Sequence, residues 1–229
     1  MKVVVLGEPR PVMLPLMGCR EKHTVCLLAV LAAGASGGHH QARLCGPAFP
    51  LKMTPMQTTS ALSLRPATVD DAALIASIHS ASWQATYRGL LPDAFLDGEV
   101  ARERAAYWEA RLGAPGAERR IVLIAQLAAE PIGFVCVERQ PGSAWGVLLD
   151  NLHALPGYQG IGVGKLLMRA AEDWARAQGE TQLYLYVLEG NTSAIGFYER
   201  QGWQFVGAEP DHMGGVDITA LRYVYRLKR

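Results

Sequence analysis

Between residues 145 and 188 an apolar run, "WGVLLDNLHAL", breaks into a stretch with glycines at 157, 160, 162 and 164. An amphipathic segment follows from Ile161 to Gln178, and then "TQLYLYVL", bulky on both faces. The periods read as strand, loop, helix and strand, and a last strand apolar on both sides belongs inside a sheet beside a parallel neighbour. In the helix, Val163, Leu166, Leu167, Ala170, Ala171 and Trp174 are expected to face inward, with Lys165, Arg169, Glu172, Asp173 and Arg176 outward. Such a crossover requires a mixed sheet covered by helices. Glycines at the mouth of its helix bring bare backbone amides close to something negative.

The remaining patterns extend this unit. "LSLRPA" reads as a strand, Thr68 and Asp71 as a capping box, and Val69 to Ala85 as a helix burying Leu74, Ile75 and Ile78. "RGLLPDAFLDG" is a loop with one helical turn, and "EVARERAAYWEARL" a second helix ended by "GAPG". "RRIVLIAQL" and "PIGFVCVER" form a hairpin turning around Ala129 and Glu130. "SAIGFYERQG" is a short helix stopped by Gly202, and "WQFVGAE" and "ITALRYVYRL" are the closing strands. The order is β-α-α-β-β-β-α-β-α-β-β, an α/β domain over residues 61–229 of about 170 residues, enough for a full core.

Residues 1–60 differ. They hold six basic residues against Glu8 and Glu21, three of the four cysteines (Cys19, Cys26, Cys45), and no long periodic pattern. "TVCLLAVLAAGA" is too short to span a bilayer. With Arg20 and Lys22 before it and Ala33-Gly34-Ala35 at its end, the run has some features of a targeting signal, but Met1 lies far upstream of it. The segment reads as a disordered N-terminal extension outside the fold, with Met53 or Met56 as a natural start. His39, His40 and Cys45 form no spaced ligand set, and with no CxxC pair neither zinc nor a disulfide framework is indicated. The expectation is a cytoplasmic protein without metal. A net charge of +1 gives no basic stripe for nucleic acid, no membrane partner is indicated, and the chain is a monomer or homodimer.

Three phosphate loops can be laid on the glycines. A mononucleotide P-loop, G-x-x-x-x-G-K-[ST], finds Gly164-Lys165 but meets Gln159 and Leu166 elsewhere, and Leu166 offers no hydroxyl for magnesium. A dinucleotide G-x-G-x-x-G started at Gly160 or Gly162 meets Lys165 or Leu167 at its third glycine, although Glu189 does close the next strand. The pattern Q-x-x-G-x-G, from Gln159 through Gly162 to Gly164, fits throughout.

With that loop, and with N-x6-Y-x3-G-W in "NTSAIGFYERQGW", the chain resembles the GNAT family of N-acetyltransferases over about residues 62–228. "LRPATVDDAALIASIHSASWQATYRGLLP" is similar to the family's opening strand and first helix. The resemblance implies a mixed, mostly antiparallel sheet with a central splayed parallel strand pair flanked by helices. It also implies acetyl-coenzyme A as co-substrate, its pyrophosphate held by Gln159, Gly160, Ile161, Gly162, Val163, Gly164 and Lys165. Leu152, His153 and Ala154 would pair through their backbone with the pantetheine arm, and an amide there would polarise the thioester oxygen, an effect of roughly 3 kcal/mol in other oxyanion sites.

Tyr198 matches the family's tyrosine that protonates the departing thiolate. Asn191 caps the last helix and in the family also contacts the cofactor or acceptor. The glutamate base of the ribosomal-protein alanine acetyltransferases is replaced here by Tyr186. Asp150 is then the nearest carboxylate candidate for a base, with His153 or a water chain as alternatives. An alkyl ammonium of pKa about 10.4 is neutral to roughly one part in a few thousand at pH 7, so some proton route is required. The acceptor amine is expected between the first two helices and the last strands, with Trp83, Tyr87, Trp108 and His212 as candidate lining, although aromatic residues on helices are usually core. The implied activity is acetyl transfer to a primary amine of a small molecule, peptide or protein by direct attack in a ternary complex. A non-catalytic coenzyme A sensor and a dinucleotide-dependent oxidoreductase remain as alternatives.

Overall fold

The computed structural model describes residues 61–114, 117–140 and 142–228; the expectations for residues 1–60, including the extension and His39, His40 and Cys45, lie outside them. The chain order is β1 (Leu62–Pro66), α1 (Ala72–Thr86), α2 (Asp93–Gly98), α3 (Val100–Gly113), β2 (Arg120–Leu127), β3 (Glu130–Arg139), β4 (Val147–Ala154), α4 (Val163–Ala177), β5 (Gln182–Leu188), α5 (Thr192–Arg200), β6 (Gln204–Met213) and β7 (Val216–Arg226). The seven strands form one sheet in the order β1-β2-β3-β4-β5-β7-β6. No helix among the described residues is long and apolar enough to cross a membrane.

Every strand pair is antiparallel except β4 with β5. That parallel pair is short. Val147 pairs with Leu183 and Leu148 with Tyr184, and beyond them the strands part. The splayed central pair is therefore present, with β5 interior as its two apolar faces required.

Strand β4 also carries a bulge. Val137 of β3 pairs with Leu149, yet the preceding Cys136 pairs with Asn151, so Asp150 is the extra residue. Side chains alternate faces along a strand, and one extra residue reverses the alternation. Before the bulge, Val147 and Leu149 point into the cluster beneath α4 and α5; after it, Leu152 and Ala154 do. His153 is thereby turned to the opposite face, against His79 of α1.

The two faces hold separate cores. Leu167, Ala171, Tyr198 and Trp203 pack with β2–β5 on one side. On the other, Ile75, Ile78 and Trp108 cover β2 and β3, and Trp83, Tyr87 and Leu96 cover the inner ends of β4, β5 and β7. The buried stripe of α4 is Val163, Leu167, Met168, Ala171 and Ala175. This corrects the expected stripe: Leu166, Ala170 and Trp174 sit half-buried at its margin. Met168 stands in the stripe instead, its sulfur accepting from the Trp203 indole N–H at 3.3 Å.

Local signals mark the boundaries. Asp71 accepts from the Thr68 N–H at 2.8 Å and from both Arg65 nitrogens at 2.7 and 2.8 Å. The Arg65 guanidinium holds the Asp71 carboxyl well below the usual range. The first turn after Thr68, Val69–Asp71, is a 3-10 turn, and α1 proper starts at Ala72. The β2–β3 hairpin turns on Ala128 and Ala129, at φ +49° and +71°, one residue earlier than expected, with Glu130 already paired to Leu127. A two-residue turn with both φ positive suits the right-handed twist of the strands, although alanine is poorly suited to it.

Candidate active site

The loop between β4 and α4 bends through Gly157, Gly160 and Gly162, at φ +91°, +83° and +99°. Side chains at these positions would have open space around them, so glycine serves the backbone path there. The Gln159 side-chain oxygen accepts from the Gly157 N–H at 2.8 Å and ties the loop together. Its amide nitrogen is shielded without a partner. Gly162 is the N-cap of α4 and offers no side-chain cap, and the first turn holds no acid. The first amide bonded back is that of Leu166, to the Gly162 carbonyl at 3.0 Å. The amides of Val163, Gly164 and Lys165 are left facing outward, with the positive end of the helix dipole behind them.

These amides open onto a cavity of about 510 Å³. Ala154, Gln159, Gly160, Gly162, Val163, Gly164 and Lys165 line it. Tyr158, Phe197, Arg200 and Gln201, which no motif marks, also line it. The last three stand at i, i+3 and i+4, one face at the end of α5, which helical periodicity could have revealed. Lys165 and Arg200 supply cations beside the free amides, and the residues present fit a pyrophosphate. Ile161 is exposed next to the cavity without lining it.

The other expected residues are distributed on both sides of β4. Leu152 is fully buried under α4. Tyr198 is also fully buried, its ring edge-on to Phe197 and Trp203 at 5.4 and 5.7 Å. The Asn191 side-chain oxygen accepts from the Ala194 N–H at 3.2 Å and caps α5, while its buried amide nitrogen has no partner. The sequence model of the Acetyltransferase (GNAT) family matches residues 78–203, more than half of the chain.

This chain belongs to the GNAT acetyltransferase family. It is 38% identical over 79 residues to a streptothricin acetyltransferase of Streptomyces lavendulae, covering 34% of this chain and 40% of that one. Matches to the curated relatives span 40% to 60% of their length. Among solved structures, a GCN5-related N-acetyltransferase of Rhodopseudomonas palustris is 25% identical at a TM-score of 0.59, over 73% of this chain and 97% of that one. The PaiA N-acetyltransferase of Thermoplasma acidophilum, solved with coenzyme A, shares the fold at 20% identity and a TM-score of 0.59, over 72% and 99%.

On the α1–α3 face of this GNAT domain, the residues expected around the acceptor divide into two groups. Trp83, Tyr87 and Trp108 are 2%, 0% and 0% exposed. They are core residues, buried because α1 and α3 press flat on the sheet. His212 is exposed near the β6–β7 turn, its ring 2.9 Å from Asp217. Asp217 itself lines a crevice of about 350 Å³ with Leu90, Leu188, Glu189, Ile218 and Thr219, between the α1–α2 connection and the ends of β5 and β7. The Tyr186 hydroxyl accepts from Arg222 at 2.9 Å, and Arg222 reaches Glu209 at 2.9 Å. Burial and the bond to Glu209 raise the Tyr186 phenol above its ordinary value.

The base candidates meet specific partners. Asp150 is buried, and its Oδ2 accepts from Arg111 at 2.7 Å, Asn151 at 2.8 Å and Tyr107 at 3.2 Å. Arg111 also reaches Glu138 at 2.6 Å. Burial opposes the Arg111 charge, yet the fields of Asp150 and its neighbours raise its pKa above the ordinary value. His153 is fully buried, with Nδ1 3.1 Å from the Ser82 hydroxyl. Burial and then the Arg104 charge lower it to about 3, so at neutral pH the ring is uncharged and weakly basic. The cysteine on this face, Cys136, has its thiol pushed up to about 12 by burial. No group of His, Cys, Asp or Glu among the described residues could hold a metal ion.

Proposed function

We propose that this chain is an N-acetyltransferase that moves the acetyl group of acetyl-coenzyme A to a primary amine by direct attack in a ternary complex. The observation that carries this reading is the uncapped start of α4, opening onto a cation-flanked cavity beside the free edge of a splayed strand pair. Bound there, acetyl-coenzyme A supplies an activated thioester.

The amides of Val163, Gly164 and Lys165, with the Lys165 and Arg200 side chains, bind the pyrophosphate. Where β4 has left β5, the backbone of Leu152, His153 and Ala154 offers unpaired groups to the pantetheine arm and one donor to the thioester oxygen. As the amine nitrogen bonds to the acetyl carbon, the C–S bond breaks and the phenol of Tyr198 donates its proton to the sulfur. The unpartnered amide of Asn191 orients the arm near that point. The amine's own proton leaves by water rather than through Asp150, because Oδ2 of that carboxylate is already engaged by three donors. Asp150 is a positioning residue.

The acceptor approaches from the α1–α3 face, and the crevice bounded by Glu189 and Asp217 favours a cationic amine. Streptothricin heads the acceptor panel because the curated relative that acts on it is 38% identical over the shared segment. The reaction is assigned to the reducing cytoplasm, in a monomer or homodimer. Thiol release from acetyl-coenzyme A across a panel of amines tests the proposal. Coenzyme A binding without release on any amine would leave the sensor reading, to which the full burial of Tyr198 lends support. Binding of NAD in place of coenzyme A would overturn both.

A further inference from the structure

We propose that the ion pair between Arg111 and Asp150 is a clamp on the β4 bulge, and that it sets which backbone groups of β4 face the acyl-donor arm. This rests on the acetyl-coenzyme A reading above.

A bulge leaves its extra residue without a ladder partner, and here a side-chain contact holds it. Asp150 is that residue, and its carboxylate is gripped from α3, 39 positions away, by Arg111. The same guanidinium bonds Glu138 of β3, and its carbon lies 5.4 Å from the centre of the Tyr107 ring. Arg120 in turn donates to the Arg111 carbonyl at 2.7 Å. The end of α3 is thus fastened to β3 and to the bulged residue of β4 together. With side-chain exposures of 18% for Arg111 and 3% for Asp150, the pair is shielded from water, and removing one partner would leave the other charge buried.

The clamp lies on the α1–α3 face, while the cavity lies on the α4–α5 face. Its effect passes through the strand. Asp150 directly follows the point where β4 and β5 stop pairing, between Leu148 and Asn151. Loss of the bulge would shift the alternation by one residue. Leu152 and Ala154 would leave the α4 core, and His153 would turn into the cavity wall. The backbone edge offered to the arm would then carry its N–H and C=O groups in the wrong positions. Arg111 and Asp150 are therefore positioning residues.

Calorimetry with two probes tests this. Coenzyme A reaches both the loop and the β4 edge, whereas its nucleotide half, 3′-phospho-ADP, reaches only the loop and the α4 amides. In the wild-type protein coenzyme A is expected to bind more tightly, and the ratio of the two affinities reports docking of the arm. Arg111→Lys and Asp150→Asn are each expected to reduce that ratio by about tenfold while 3′-phospho-ADP binds as before. A purely structural ion pair would lower the melting temperature and leave the ratio alone; an unchanged ratio in either folded variant overturns the clamp. If both variants fail to fold, Tyr107→Phe decides, since it deletes only the hydroxyl that donates to Asp150 Oδ2. A ratio reduced about two- to threefold supports the clamp, and an unchanged one overturns it. A wild-type protein that binds both probes equally also overturns it. Binding of neither probe to the wild-type protein removes the acetyl-coenzyme A reading itself.

Discussion

His79 and His153 lie ring to ring at 4.2 Å, both fully buried between α1 and β4. The Trp108 indole donates to His79 Nδ1 at 2.9 Å, which places the proton of the neutral ring on Nε2. Burial lowers the pKa of both rings, with Arg104 adding to the effect on each and His153 adding to it on His79. An unfolded histidine takes up a proton near pH 6.5, and these two do so only well below that. Their contribution is therefore complete above pH 6.5 and declines as pH falls toward the folded values, near 3 for His153. Between pH 7 and 5, before most carboxylates titrate, urea unfolding is expected to show a loss of up to about 2 kcal/mol per histidine. His153→Phe should remove one share of that decline. A pH dependence identical to wild type would mean that His153 takes up its proton in the folded protein as readily as in the unfolded one.

Gly164 separates ligand binding from folding better than its neighbours do. It is helical, unlike Gly162 with its φ of +99°, and it lines the cavity. Gly164→Ala should stabilise the protein by roughly 0.5–1 kcal/mol through helix propensity while placing a methyl group against the pyrophosphate. Calorimetry is expected to show coenzyme A affinity reduced by about tenfold or more at a raised melting temperature. Unchanged affinity would move the pyrophosphate off these amides.

Tyr198→Phe should keep the ring packed against Phe197 and Trp203 and remove only the hydroxyl. With an acceptor in hand, kcat is expected to fall about 10²-fold with little change in coenzyme A affinity. A thioester with a better leaving thiol should rescue the variant more than its parent. Equal rates under conditions where chemistry limits turnover would assign the tyrosine to the core alone.

The hairpin at Ala128-Ala129 carries two alanines at positive φ, each costing about 1 kcal/mol or more relative to glycine. Replacing the pair with Asn-Gly should raise the melting temperature by about 2–4 °C per kcal/mol recovered. Activity should be unaffected, because the turn lies outside the cavity and the acceptor crevice. A lower melting temperature would show that the alanine methyl groups make contacts that outweigh the backbone strain.

The elements and the glycine loop before α4 could be read from the chain because their causes are local. Helical and strand periods, the Thr68–Asp71 cap, the glycines at 157, 160 and 162, and the spacing from Asn191 to Tyr198 each lie within a few residues of the structure they specify. Arg200 and Gln201 at the cavity were one step further, since the face of α5 they share is visible only once the direction of the cavity is known.

The β4 bulge could not be read in this way. In "VLLDNLHA" the bulge gathers Val147, Leu149, Leu152 and Ala154 on one face, yet the run reads equally as a plain strand buried on both faces. The choice depends on Cys136 pairing with Asn151 in the neighbouring strand and on an arginine 39 positions away. For the same reason Asp150 reads in the chain as a candidate base and is an ion-paired carboxylate in the fold. Trp83, Tyr87 and Trp108, which the chain leaves open to a substrate wall or to the core, are core because α1 and α3 close over them. Local preferences determined which segments are helices and strands and where bare amides would lie. Contacts between distant segments determined which way each side chain of β4 points, because register is an energy shared between strands.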